Sequence, residues 1–262
     1  MKKSLLGLAL LFPATFSSAF AADSNSLNLE HASPTSIESL ELITYGNYQF
    51  YQPYIEAVKT VDLIAPPPVE GSNQDLEDKR IGAIDFTVED PARMAQATQD
   101  ARITPDYFAK IYGDVLGIEI NAQQTPAIYV VMGRSVSSFG LATSDSKKHY
   151  NKARPFAVNG LPSCTPYAED YLSKDGSYPS GHTASGYGVS LVAAAIAPSS
   201  EAQLIQRGAD YGYSRIVCNA HWESDVEAGK KIAHIVFNKL MEDEQFVTDL
   251  NAAKQEYKAL TQ

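Results

Sequence analysis

The chain has 262 residues and carries 31 acidic against 21 basic side chains, a formal charge of −10 at neutral pH. So acidic a surface disfavours nucleic-acid polymers and anionic lipid as partners, although a small anion could still sit in a cleft with its own local potential. After the first residues, no stretch reaches about 18 uninterrupted apolar positions, which excludes a later membrane-spanning helix, and the length is enough for one sizeable core.

The N-terminus reads MKKSLLGLALLFPATFSSAFAAD. A basic head, a short apolar run and the small-residue site at Ala19-Phe20-Ala21 predict a secretory signal peptide over residues 1–21. A membrane anchor fits less well, because the apolar run is short and Pro13 interrupts it. Cleavage would remove Lys2, Lys3 and no acid, so the mature charge becomes −12, and would send a soluble chain to the periplasm or beyond. Residues 22–36 read as a poorly ordered polar leader, and 37–262 as one domain.

Within that domain, Tyr45 to Leu63 is expected to be helical for part of its length. Pro66-Pro67-Pro68 then forces an extended segment, and the charged residues 69–84 read as loop. Asp90-Pro91, Thr104-Pro105 and Thr125-Pro126 each place a capping residue before a proline, the signature of a helix start. After Pro126, Ile128, Val131, Ser135, Phe139 and Ala142 recur at helical spacing and predict one buried face. His182 to Ala197, rich in Ala, Val and Gly and closed by Pro198, reads as a tightly packed interior helix. Residues 200–213, 222–241 and the more polar, peripheral Glu244 to Ala259 complete the helices. β-branched alternation is scarce, so the predicted fold is all-α, a single bundle-like domain. Cys164 and Cys218 are the only cysteines; in an exported chain such a pair suggests one disulfide, the alternative being two buried thiols.

Three clusters carry chemistry. Lys147 to Pro155, KKHYNKARP, concentrates positive charge in an acidic protein; taken alone it could be a solvated helix end. In Gly176 to Gly188, GSYPSGHTASGYG, a turn of small residues opens a helix, and a helix N-terminus presents free N–H groups to an anion. Gly181 there permits close backbone approach, Ser180 offers a hydroxyl and His182 stands over the seat; the plainer alternative is a serine cap and a packed histidine. In Ser214 to Asp225, SRIVCNAHWESD, His221 and Asp225 are spaced i, i+4 and expected to share a helix face. Asp225 could then take the Nδ1 proton and leave Nε2 with a free lone pair, the arrangement that orients bases in hydrolytic triads. A chance His–Asp pair has the same spacing.

Together these clusters form Lys-x6-Arg-Pro, Pro-Ser-Gly-His and Ser-Arg-x5-His-x3-Asp, filled by Lys147, Arg154 and Pro155, by Pro179 to His182, and by Ser214, Arg215, His221 and Asp225. This order resembles the type-2 phosphatidic acid phosphatase superfamily, whose fold is shared with vanadium haloperoxidases. The string GSYPSGHT is similar to that of the bacterial class A non-specific acid phosphatases, as is APPPVEGS at Ala65 to Ser72. The resemblance implies an exported acid phosphatase, domain 37–262, acting on small phosphate monoesters of broad range. His221 would be the nucleophile forming a phosphohistidine, oriented by Asp225, and His182 the general acid. Lys147, Arg154, Ser180, Gly181 and Arg215 would hold the phosphate, with no cofactor and no metal. It leaves the oligomeric state open, although such proteins often form homo-oligomers. The alternatives are a vanadate-dependent haloperoxidase, which would use the same anion pocket, and a non-catalytic periplasmic phosphate-binding protein, which would need the cations but neither histidine. A Ser-x-x-Lys match at Ser144 to Lys147 lacks its companion Lys-Thr-Gly, and an integral lipid phosphatase lacks its spans.

Overall fold

The computed structural model of the chain describes residues 43–45, 48–51, 59–86 and 90–262. The predicted signal peptide, the polar leader, the domain start at residue 37 and His31 lie outside the described residues. Among those described, the fold is all-α apart from one small hairpin, in which β1 (Ile43–Tyr45) pairs antiparallel with β2 (Tyr48–Phe50) and Ile43 stands opposite Phe50. Of Tyr45 to Leu63, residues 46, 47 and 52–58, on which the expected helical part falls, lie outside the described residues; those described hold strand β2 and one 3-10 turn, Thr60–Asp62.

A correction concerns residues 69–84, expected as loop. Helix α1 (Asn73–Phe86) occupies most of them. It is polar nearly all round, so no apolar stripe announces it, and it is held by side-chain pairs instead. Asp75 pairs with Lys79 at 2.8 Å and Glu77 with Arg80 at 2.6 Å. Asp78, buried on its inner face, accepts from the backbone N–H of Ser224 and from Lys152.

The three Thr/Asp-Pro starts open helices α2 (Pro91–Gln99), α3 (Pro105–Leu116) and α4 (Pro126–Leu141). Asp90 accepts from the N–H groups of Ala92 and Arg93, and Thr104 from that of Tyr107. Thr125 makes no such cap; its hydroxyl serves the turn before the helix, accepting from Asn121 N–H. Ile128, Val131, Ser135, Phe139 and Ala142 are all buried, as their spacing requires. Short helices α5 (Ser144–Tyr150), α6 (Pro155–Asn159) and α7 (Glu169–Leu172) follow, and then the long α8 (Gly181–Ile196), α9 (Glu201–Val217), α10 (Glu223–Leu240) and α11 (Glu244–Thr261).

Helix α8 is the axis of the bundle, packed on α4, α9 and α10. It is buried on nearly every side, and each of Val189, Val192 and Ile196 contributes about 1.5–3 kcal/mol by leaving water. Its glycines set the spacing: a Cβ at Gly186 would collide with the Tyr211 ring of α9, and one at Gly188 with the Phe139 ring of α4. Helix α11, expected at the periphery, buries Phe246, Leu250 and Ala253 against α4 and drives Asp249 onto Arg134 at 2.6 Å. Cys164 and Cys218 form a disulfide across 54 positions, with Cα atoms 4.8 Å apart. Such a link is worth about 2–4 kcal/mol in small domains. None of the described helices is long and apolar enough to cross a membrane.

Candidate active site

Local folding brings the three clusters to one place. Lys147 rides on α5, which ends at Asn151 in a left-handed conformation (φ 43°). The chain then runs extended to Arg154, and Pro155 opens α6. On the opposite side, Ser180 caps α8, accepting from Thr183 N–H at 3.2 Å, so the positive end of a sixteen-residue helix faces the cleft at Gly181 and His182. The third cluster is hooked back at the end of α9. Asn219 turns left-handed (φ 56°), and the Arg215 carbonyl accepts from both Ala220 and His221 N–H. Trp222 then leads into α10, its indole donating to the Ala153 carbonyl at 2.8 Å; it is packing rather than a lining surface of the cavity.

A cavity of about 370 Å³ forms where these segments meet. Lys147, Arg154, Gly181, His182 and His221 line it, together with Asp175 and an apolar wall of Ile103, Val136, Leu141, Tyr171 and Leu172. Ser180, Arg215 and Asp225 stand behind that lining, all three buried. Larger surface hollows beside Tyr187 and beside Asp106 gather no comparable set of histidines and cations.

His221 is held at both ring nitrogens. Arg154 Nη1 lies 2.9 Å from its Nε2. A guanidinium can only donate, so Nε2 must accept and carry the lone pair. The proton is then on Nδ1, 3.4 Å from Asp225 Oδ2 and 3.3 Å from Ser177 Oγ. Asp225 is a hub: it also takes the Ser177 hydroxyl, the Trp222 N–H at 2.9 Å and Lys152 Nζ at 3.0 Å. The expected shared helix face is corrected here. His221 precedes α10, and Asp225 in the first turn of that helix reaches back to cap Trp222 and meet the ring.

His182 is half-buried, and its Nε2 lies 3.1 Å from the Ala101 carbonyl. A carbonyl only accepts, so Nε2 carries a proton and Nδ1 is the nitrogen left for other work. Both imidazoles are pushed well below their ordinary pKa of 6.5. For His182 the first cause is burial and the second Arg215, opposed by the Ala101 bond; for His221 it is burial, then Arg154 and Lys147.

The cations differ in how they are satisfied. Lys147 Nζ donates to the Gly176 carbonyl and sits 3.1 Å from Asp175; burial, then the Arg154 charge, brings its pKa down to about 8. A Cβ on Gly176 would come within 2.5 Å of the Lys147 carbonyl oxygen, so only glycine lets these segments approach. Arg154 donates Nε to the carbonyls of Leu172 and Asp175 and pairs Nη2 with Asp175 at 3.2 Å. Arg215 is 1% exposed, and its Nε and Nη1 find no hydrogen-bond partner among the described residues. Burial lowers it to about 10. Two donors so placed in a dry interior suit an anion with several oxygens. Ser180 Oγ accepts from Thr183 N–H and from the Thr183 hydroxyl, which leaves its own proton available to donate.

Three of these partners escaped the sequence reading. Lys152 was counted with the basic patch, yet it neutralises Asp225 and Asp78. Ser177, within the glycine-rich stretch, and Asp175, just before it, carry no signal beyond that position. Lys148 and His149 are exposed, and His234 rests against Tyr187.

Comparison with known proteins sets this geometry in context. Residues 128–244 match the model of the PAP2 superfamily. The chain is 33% identical over 212 residues to a non-specific acid phosphatase of Providencia stuartii, covering 80% of this chain and 86% of that one. It is 34% identical over 202 residues to a non-specific acid phosphatase of Salmonella typhi, 77% and 81% of the two chains. An acid phosphatase of Zymomonas mobilis is 35% identical over 193 residues, 74% and 73% of the two.

Proposed function

Since the chain belongs to the PAP2 superfamily and, within it, to the bacterial class A non-specific acid phosphatases, we propose that it is an exported acid phosphatase. It hydrolyses phosphate monoesters of broad range, without a metal, through a phosphohistidine. Its relatives are named acid phosphatases. Export rests on the N-terminal signal pattern and on the disulfide.

The observation that carries this reading is the two-sided hold on His221, which fixes a neutral ring with its lone pair on Nε2. The phosphate of the substrate takes Arg154 Nη1 away from that nitrogen and settles among Lys147, Arg154, Arg215, the Ser180 hydroxyl and the N-terminal amides of α8. These donors neutralise charge on the nonbridging oxygens, where phosphoryl transfer most needs it. Nε2 then attacks phosphorus; the phosphorus–ester oxygen bond breaks as the phosphorus–nitrogen bond forms. Asp225 stabilises the imidazolium through Nδ1–H.

His182 gives a proton to the departing alkoxide, then takes one from the water that cleaves the phosphoramidate. Its anchor on Ala101 favours Nδ1 for this traffic, where symmetric use of Nε2 on both rings would otherwise be the simplest expectation. An incoming dianion offsets the surrounding cations and so restores the proton that His182 needs.

The test is hydrolysis of p-nitrophenyl phosphate with EDTA present, followed by a rapid quench into alkaline detergent, where phosphohistidine survives. The expected result is a steady rate and phosphate on the peptide holding His221. His221→Ala should lower kcat by about 10⁴-fold or more. Phosphate on a different residue would overturn the nucleophile assignment.

A further inference from the structure

We propose that Asp175 is a built-in competitor for the phosphate seat, a carboxylate that occupies Lys147 and Arg154 between turnovers and speeds the departure of inorganic phosphate. The inference rests on the reading above that this cavity takes a phosphate group.

One oxygen, Asp175 Oδ2, bridges both cations, 3.1 Å from Lys147 Nζ and 3.2 Å from Arg154 Nη2. That is how a phosphate oxygen would sit between them. The carboxylate comes from the open side: its side chain is 39% exposed, against 9% for Lys147 and 3% for Arg154, and it lines the cavity. It can therefore swing outward when another anion arrives.

Nor is it needed to aim the cations, because backbone carbonyls do that from behind. Gly176 holds Lys147, while Leu172, Asp175 and Ala220 hold Arg154 through their main-chain oxygens. Asp175 is thus in position to lower affinity for every phosphate ligand. An enzyme whose product is a free dianion gains from this, because three clustered cations would otherwise release it slowly.

Asp175→Asn keeps the size of the side chain and its backbone bonds while removing the charge. Calorimetric titration with inorganic phosphate should give a Kd about tenfold lower than wild type. KM for p-nitrophenyl phosphate should fall with it, and kcat should fall as phosphate leaves more slowly. Asp175→Ser should move all three in the same direction, and thermal melting of each variant checks that it folds. A phosphate Kd that is unchanged or higher, or a higher KM beside a lower kcat, would mean that the carboxylate positions the cations, and the proposal would be wrong. The two readings fail separately: wild type that binds phosphate but turns over no ester sinks the phosphatase, while the Kd ratio still judges Asp175.

Discussion

Arg134 and Arg215 are both interior guanidinium groups, 3% and 1% exposed, yet the fold treats them in opposite ways. Arg134 has its own counter-ion: Nη1 lies 2.6 Å from Asp249, which also takes the Tyr51 hydroxyl at 2.6 Å, and the trio ties α4 to α11. Among the described residues Arg215 has no such carboxylate, and two of its nitrogens, Nε and Nη1, go unmatched, against Nε alone in Arg134. Burying an ion costs several kcal/mol unless something compensates it. A buried cation with a resident partner is architecture, whereas one without fits the proposed role of taking its counter-ion from solution. The charge of Arg215 also bears on both active imidazoles.

That contrast can be pushed by substitution. The largest effect belongs to the imidazole beside Arg215: His182→Ala should cost about 10²–10⁴ in kcat on alkyl phosphates and clearly less on p-nitrophenyl phosphate, whose leaving group needs no proton. Equal losses on both would remove His182 from the acid role. Next, Arg215→Met should lower kcat/KM by about 10²–10³ while the melting temperature holds or rises, since an uncompensated buried charge has gone. Arg134→Met should do the reverse, costing about 3–5 kcal/mol by stranding Asp249 while sparing kcat/KM. If the two variants behaved alike, the distinction would collapse.

The smallest effect is on pH dependence. Both histidines are depressed below 6.5, so the unfolded chain binds more protons than the native one in that range. Their contribution to stability is therefore present above pH 6.5 and lost as the pH falls toward their folded values. Melting temperature should drop on acidification, and added phosphate should offset the drop. The proposed acid role of His182 gives activity the opposite dependence: His182 must carry a proton, so kcat/KM should fall as pH rises. Arg215→Met, but not Arg134→Met, should shift that falling limb to higher pH.

Much of the candidate site was legible because the proposed chemistry needs particular side chains at fixed separations, and the fold brings those side chains together. Lys147, Arg154, His182, His221 and Asp225 could be found without coordinates. Asp175 could not, because an acid beside an anion seat looks like an error until its bridge to two cations is seen. The tautomers were equally hidden, as they depend on Ala101 and on Arg154 Nη1, partners 81 and 67 positions away. For the fold, proline-marked helix starts and the buried face of α4 were plain. Helix α1 was missed because tertiary contacts at Asp78, rather than an apolar stripe, keep it in place.

The glycines of α8 have an evolutionary consequence. With Tyr211 and Phe139 pressed against its backbone, that helix has no room for a side chain at Gly186 or Gly188, and it is this helix that carries Gly181 and His182 of the candidate site at its head. The mouth of the cavity is under no such constraint, since Tyr171 is 71% exposed and Ile103 40%. On the proposed reading, new leaving groups would be accommodated by drift at the rim, with the residues beneath it unchanged.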